Sequence, residues 1–89
     1  MYYAYILRCD DGTLYTGSTN NLRKRLHQHN FLKSGAHYTK IRRPVRFVYT
    51  EKCATFSIAR SREAAIKSLS RKEKELLISA SARSPDQRE

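Results

Sequence analysis

The chain has 89 residues, of which 39% are hydrophobic and 29% charged, so it is long enough for one small domain and too short for two. It lacks a run of the roughly 18–20 apolar residues that cross a bilayer, and residues 1–5 have neither the basic nor the apolar segment of a signal peptide. Cys9 and Cys53 are too few for a disulfide scaffold, and no Cys/His cluster has zinc spacing. The composition therefore predicts a cytoplasmic protein with reduced thiols.

The formal net charge of +10 is concentrated in one quarter of the chain. Residues 1–22 carry a net charge of −1, residues 47–79 carry +3, and the charges of the last ten residues cancel. Residues 23–46 carry a net +8 and no acid; their bases are Arg23, Lys24, Arg25, Lys33, Lys40, Arg42, Arg43 and Arg46. Such a patch indicates nucleic-acid binding. A membrane surface is the weaker alternative, because no long basic amphipathic helix is present.

The first half of the chain reads as a hairpin followed by a helix. Residues 2–9 are rich in aromatic and β-branched types and predict a strand, and residues 13–18 predict its returning partner. The turn signal Asp-Asp-Gly separates them at residues 10–12. Residues 19–21 offer helix N-caps, so we expect a helix that runs to about Asn30.

The second half adds one strand and two helices. Residues 31–44 contain glycine and proline and predict a loop or a short helical turn, and residues 45–53 alternate as a strand. A helix is expected at residues 57–69, and an S-x-x-E capping box opens another that ends near residue 79. Residues 80–89 are expected to be a disordered tail. The order ββαβαα predicts one α+β domain, residues 1–79, with an antiparallel sheet.

The register of the hairpin decides which tyrosines meet. If residues 10–12 form a three-residue loop with glycine in the left-handed conformation, Leu7 pairs with Tyr15 and Tyr5 pairs with Gly17. The two phenols then lie on one face of the sheet, and the glycine leaves room for the Tyr5 ring. A two-residue loop would place the phenols on opposite faces.

Two helices carry further candidate side chains. Arg25 and His29 are four residues apart, so they stack on one face of the first helix, at the edge of its Leu22/Leu26 stripe. Glu63 lies beside the apolar stripe of a later helix. These side chains therefore project where a helix meets the sheet.

Together these residues resemble the GIY-YIG nuclease domain. The resemblance rests on residues 3–5 (YAY), residues 15–17 (YTG), Arg25, His29 and Glu63. It covers residues 2–78 and is strongest toward the small, stand-alone, UPF0213-like members, which share segments like GAHYT and RRPV at residues 35–39 and 42–45. The first motif reads YAY rather than GIY, and the asparagine that many members carry near the end of the domain has no counterpart here.

The resemblance implies a three-stranded antiparallel sheet flanked by helices, and metal-dependent hydrolysis of phosphodiester bonds, in DNA rather than RNA. Tyr5, as phenolate or hydrogen-bond relay, and Tyr15 would activate the water, and Arg25 would clamp the phosphate. His29 would hydrogen-bond a tyrosine or shuttle a proton. Glu63 would hold one Mg²⁺ or Mn²⁺ ion.

The acidic residues favour one ion over two. A two-metal site needs several clustered carboxylates, and this chain spends Asp10 and Asp11 in a turn and Glu73 in a helix cap. We expect further residues to contact the nucleic acid, mainly at phosphates. They are Gly17, Lys33, His37, Tyr38, Lys40, Arg42, Arg43 and Arg46. Tyr38 has two expected placements, stacked on a base or packed under the loop.

Three functions follow in order of preference. The first is a DNA endonuclease, alone or guided by a separate recognition protein. The second is a module of the same fold that binds nucleic acid without cleaving it. The third is an adaptor whose basic segment recruits an acidic protein.

Overall fold

The computed structural model describes residues 1–32 and 36–82. Lys33 and residues 83–89 lie outside the described residues, as do the predictions made for them. The described chain forms a three-stranded sheet flanked by helices, which confirms the predicted α+β class. Its elements are β1 (Tyr2–Cys9), β2 (Leu14–Thr19), α1 (Leu22–Phe31), α2 (His37–Lys40), β3 (Val45–Cys53), α3 (Phe56–Lys67) and α4 (Arg71–Ala82).

The sheet has the order β2-β1-β3, and both pairs of neighbouring strands are antiparallel. Leu7 pairs with Tyr15 and Tyr5 with Gly17, while Gly12 has a φ of 86°. The three-residue loop and its register are therefore confirmed, and both phenols lie on one face. Since β2 has a single strand neighbour, its outer side is an edge of the sheet.

Alternation along β1 sends side chains to two cores, one on each face. On the face of Tyr5, α1 and α2 cover the sheet; its buried residues are Tyr5, Leu7, Cys9 and Val45, with Tyr15, Leu22, Leu26, Tyr38 and Phe47 packed against them. On the opposite face, α3 and α4 pack; the buried residues are Ala4, Ile6 and Ile66, with Leu14, Val48, Tyr49, Leu77 and Ile78 around them.

Local hydrogen bonds fix the helix starts. Asn21 caps α1 by accepting from the N–H of Lys24 at 3.0 Å. The predicted capping box opens α4, because Glu73 accepts from the Ser70 N–H at 2.8 Å and donates its own N–H to the Ser70 hydroxyl at 3.1 Å. Thr55 caps α3 one residue earlier than expected. At its other end α4 continues to Ala82, past the predicted boundary at residue 79.

A salt bridge fastens α4 to the hairpin. The Arg8 guanidinium donates two hydrogen bonds to the Glu75 carboxylate, at 3.0 and 2.8 Å, and Arg71 joins Glu75 to the carbonyl of Gly12. The hydrogen bond from Arg8 is the main cause that lowers the pKa of Glu75 to about 2. This contact holds α4 over the sheet, on the face opposite the phenols.

Asn30 joins the end of α1 to the start of β3. Its side-chain N–H donates to the carbonyl of Val45 at 3.0 Å, and its oxygen accepts from the Val45 N–H at 2.7 Å. Both bonds are partly buried, so they satisfy backbone groups that water reaches poorly. The pair fixes α1 against the sheet.

Replacing Asn30 with alanine should lower the free energy of unfolding by about 1–3 kcal/mol, because the backbone groups of Val45 lose their partners. Urea denaturation measures this loss. The matched control is Asn20→Ala, which truncates an exposed asparagine just before α1 and should change stability by less than about 0.5 kcal/mol. Equal losses in the two variants would contradict the role given to Asn30.

Candidate active site

A buried chain of hydrogen bonds runs from the sheet through α1 to α2. The Tyr5 hydroxyl lies 2.9 Å from Nε2 of His29, and Nδ1 of His29 lies 2.7 Å from Oγ1 of Thr39. The Thr39 hydroxyl lies 2.9 Å from the carbonyl of Ala36. Tyr5 is 1% exposed and both His29 and Thr39 are 0% exposed. The three side chains therefore satisfy one another without solvent.

The donor and the acceptor in each of these hydrogen bonds follow from the end of the chain, where the Ala36 carbonyl is an acceptor. The carbonyl of Ala36 also accepts the N–H groups of Thr39 and Lys40, but all three side-chain contacts are hydrogen bonds at once only if the Thr39 hydroxyl donates its one proton to this carbonyl. Thr39 must then accept from Nδ1–H of His29, which leaves Nε2 as the acceptor for the Tyr5 hydroxyl. His29 is thus assigned as the neutral Nδ1–H tautomer, and Tyr5 as a proton donor.

Burial keeps both groups neutral. It lowers the pKa of His29 to about 4, and the charges of Arg25 and Arg43 add to this effect. Burial also raises the pKa of Tyr5 to about 12, although a hydrogen bond from Arg25 opposes the rise. Of the two roles expected for Tyr5, this placement suits the hydrogen-bond relay rather than the phenolate. Likewise, His29 hydrogen-bonds a tyrosine, the first of its expected roles.

Gly17 makes room for the Tyr5 phenol. A Cβ atom on Gly17 would lie 2.5 Å from the Tyr5 hydroxyl oxygen and 2.7 Å from its Cζ. Such a contact is far inside van der Waals distance, so any side chain would displace the ring from His29. The expected space opposite Tyr5 is confirmed, and its cause is the close approach of the ring to the β2 backbone.

Tyr15 lies on the outer side of the same cluster and is half-buried, whereas Tyr5 is enclosed. Its ring centroid is 5.3 Å from that of His29, nearly edge-on, and 5.9 Å from that of Tyr38. The Arg42 guanidinium covers the Tyr38 ring at 4.0 Å. Tyr38 therefore packs between Tyr15 and Arg42, and its stacking on a base stays a prediction.

Arg25 lies at the rim of this cluster, as its position beside the Leu22/Leu26 stripe predicts. Its guanidinium donates to Oε1 of Gln28 at 2.8 Å and lies near the Tyr5 phenol, whose pKa it pulls down against the larger effect of burial. The Tyr5 proton is committed to His29, so the phenol presents an oxygen lone pair toward the positive charge of Arg25. A buried relay thus ends at a half-buried guanidinium.

Glu63 approaches the same strand from the other face of the sheet. Its carboxylate accepts a hydrogen bond from the Ser18 hydroxyl at 2.6 Å and pairs with Lys67 at 2.9 Å and Arg60 at 3.7 Å. Burial alone would raise the pKa of Glu63, but the hydrogen bonds from Ser18 and Lys67 outweigh it, and the net shift is downward. The carboxylate is therefore ionised at neutral pH.

The five predicted site residues thus surround one edge strand from two sides. Tyr5, Tyr15, Arg25 and His29 gather on one face, and Glu63 reaches Ser18 on the other. Ser18 follows Gly17 in β2, so the two clusters are separated by the thickness of one backbone. They also interact electrostatically, since the negative charge of Glu63 acts on the Tyr5 phenol.

The donor set fits one hard divalent cation. Within residues 1–32 and 36–82 no group of three or more His, Cys, Asp and Glu side chains converges on a metal position. The ionised carboxylate of Glu63, with the Ser18 hydroxyl beside it, offers oxygen donors only. Mg²⁺ commonly binds through one or two carboxylates and takes its other ligands from water and substrate phosphates.

Two of the residues predicted to contact phosphate make hydrogen bonds within the protein. The Arg43 guanidinium donates to the carbonyls of Gln28, His29 and Leu32, and so caps the C-terminal end of α1. Arg42 donates to the carbonyl of Tyr38 and lies 3.1 Å from the Asp11 carboxylate. Both arginines stabilise the segment around α2, and their predicted contact with phosphate stays a prediction.

The other residues expected to contact nucleic acid keep that assignment as a prediction. His37 and Arg46 are exposed and Lys40 is half-buried. Sequence reasoning missed Ser18 and Thr39, whose partners come from distant parts of the chain. For Thr39 a signal was present, since it lies within the GAHYT segment that small members of the resembled family share.

Comparison with known proteins agrees with this geometry. The model of the GIY-YIG catalytic domain matches residues 1–76, and the chain belongs to the GIY-YIG family. Its relatives include small UPF0213 proteins. One from Desulfotalea psychrophila is 50% identical over 80 residues, 90% of this chain and 73% of that protein. Another from Syntrophus aciditrophicus is 55% identical over 76 residues, 85% of this chain and 87% of that protein.

Two solution NMR structures share the fold. The UPF0213 protein of Bacillus halodurans is 41% identical with a TM-score of 0.57, covering 90% of this chain and 85% of that one. A protein of E. faecalis is 37% identical with a TM-score of 0.60, covering 93% and 88%. Among the described residues, no helix is both long and apolar enough to cross a membrane.

The buried imidazole should make stability fall in mild acid. The pKa of folded His29 is about 4, against 6.5 in the unfolded chain, so the unfolded state binds its proton first as pH drops through this window. The free energy of unfolding should therefore be highest above pH 6.5 and decline by an amount on the order of 3 kcal/mol towards pH 4.

Urea denaturation between pH 4 and 8 measures this decline. His29→Gln should flatten the profile above about pH 5, because it removes the imidazole, whereas carboxylates with a lowered pKa such as that of Glu75 lose their stabilising effect only at lower pH. The control His27→Gln replaces an exposed histidine on the same helix and should keep the slope. A slope that survives in His29→Gln would show that another group causes it.

Proposed function

We propose that the protein is an endonuclease that hydrolyses phosphodiester bonds of DNA at β2 with one Mg²⁺ or Mn²⁺ ion. The observation that carries the proposal is the convergence on this edge strand. A guanidinium near a buried phenol lies on one face, together with an accessible phenol, and an ionised carboxylate lies on the other. Membership of a family defined by a catalytic domain supports the reaction class.

Each residue has a separate task. Arg25 binds the oxygens of the scissile phosphate, where a planar guanidinium gives two parallel hydrogen bonds. Tyr15 orients the attacking water and receives its hydrogen bond, because it is the less buried of the two phenols. Tyr5 and His29 lie beneath them and hold Arg25 in place. Glu63 would hold the ion, which when bound supplies positive charge to the phosphate and lowers the pKa of coordinated water.

The cations around Glu63 suit a polyanionic substrate. Lys67 and Arg60 pair with its carboxylate, and both are more than half exposed. A bound divalent ion would take over the carboxylate, and the two side chains would then be available to neighbouring phosphates. The Glu63 carboxylate would thus have a positively charged partner both with and without the ion, and a half-buried ionised acid requires such a partner.

Cleavage of supercoiled plasmid with Mn²⁺ or Mg²⁺ tests the proposal. Arg25→Ala and Glu63→Gln should each lower the nicking rate by about 10²–10³-fold, as loss of a transition-state contact does. Lys72→Ala is the control, because it removes one exposed positive charge on α4 that is not among the five proposed site residues. It should stay within a few fold of wild type, and EDTA should stop the reaction.

The same background nicking in wild type, Arg25→Ala and Glu63→Gln would reject catalysis. Affinity for DNA that falls steeply with salt, without such nicking, would favour the non-catalytic binding module. The absence of salt-dependent DNA binding would favour the adaptor instead. An RNA strand of the same sequence, tested in parallel, should be cleaved more slowly.

A further inference from the structure

Thr39 lies deep in the protein although it belongs to a helix of four residues, α2. Its side chain is 0% exposed, and its hydroxyl contacts two groups. One is the carbonyl of Ala36 within the same turn, at 2.9 Å, and the other is Nδ1 of His29 on α1, at 2.7 Å. The first contact is common for threonine in a helical turn. The second connects α2 to the candidate active site.

The hydroxyl of Thr39 determines which nitrogen of His29 carries the proton. Since its own proton goes to Ala36, Thr39 presents only a lone pair to the imidazole. The Nδ1–H form satisfies that lone pair, whereas in the Nε2–H form the Thr39 hydroxyl would have to turn from the Ala36 carbonyl to Nδ1, and the buried Tyr5 hydroxyl would lose its acceptor on His29. An unpaired polar atom is costly there, so one tautomer dominates.

The tautomer in turn sets the direction of the Tyr5 hydroxyl. With Nε2 as an acceptor, the phenol proton points at His29 and the phenol oxygen is open to a donor from Arg25. In the opposite tautomer, Nε2–H would donate to Tyr5, and the phenol proton would turn toward the guanidinium. The phenol proton would then face the positive charge of Arg25, and the guanidinium would lose the oxygen lone pair beside it.

We propose that Thr39 is a positioning residue, which fixes the tautomer of His29 and thereby orients Tyr5 and Arg25 for the phosphate. The inference rests on the proposed function, because its consequence is a correctly aimed guanidinium. In this proposal α2 contributes directly to the arrangement of the site. The helix brings one hydroxyl to the end of the relay, at the side remote from substrate.

Three forms of the chain test the role. They are wild type, Thr39→Ser, which keeps the hydroxyl, and Thr39→Val, which keeps the shape of the side chain but has no hydroxyl. In plasmid nicking, Thr39→Val should lower kcat about 10–100-fold, as loss of an outer hydrogen-bond partner does, with KM nearly unchanged. Thr39→Ser should restore most of kcat. Equal kcat values in Val and Ser variants of similar stability would overturn the role.

Long-range ¹H–¹⁵N spectra of the His29 ring test the tautomer without any activity. Wild type and Thr39→Ser should show a protonated Nδ1 and an unprotonated Nε2, and Thr39→Val should gain the Nε2–H form. A wild type with Nε2–H overturns the inference even if Thr39→Val does not fold. Wild type that shows the expected tautomer and no metal-dependent nicking would instead reject the proposed function alone.

Discussion

The hydrogen bond between Tyr5 and His29 is the constraint on which the rest of the site depends. Two polar groups that water does not reach must satisfy each other, because an unpaired one would cost about 1–3 kcal/mol. The bond requires the Tyr5 ring to cross β2, so position 17 has to be glycine. It also requires an acceptor behind the imidazole, which Thr39 supplies. The register of the β1–β2 hairpin, the turn at residues 10–12 and α2 are therefore all needed for this one hydrogen bond.

The site is divided by the edge strand rather than collected in a cleft. Phenols and guanidinium lie on one face of β2 and the carboxylate on the other, where Ser18 holds it. An edge strand lets a long ligand reach both faces, since no further strand among residues 1–32 and 36–82 pairs with its outer side. Such an arrangement suits a backbone with repeated phosphates better than a small enclosed substrate. The net charge of +10 also favours a negatively charged, phosphate-rich ligand.

Local chemistry allowed much of the fold to be predicted. The bounds of β1 and β3 agree with the expected strands, because alternating aromatic and β-branched residues mark them. The turn before Thr13 and the Ser70 capping box were likewise readable from short-range signals. Each depends on residues a few positions apart, where sequence spacing translates directly into geometry.

Contacts between distant segments were harder to anticipate. Arg43 looked like a phosphate ligand, but its guanidinium fits the open carbonyls at the end of α1, which the fold brings beside it. Ser18 and Thr39 seemed ordinary polar residues until Glu63 and His29 were placed next to them. For the candidate site, residue types at a family spacing selected five side chains that the fold gathers around β2, and their catalytic roles stay a prediction.

A crystal structure with Mn²⁺ and a short DNA duplex would test the account most directly, since anomalous scattering locates the ion. The account predicts one ion on the Glu63 carboxylate, with a phosphate between that ion and the Arg25 guanidinium, and Lys67 moved away from Glu63. Two ions, an ion remote from Glu63, or a duplex bound away from β2 would contradict it.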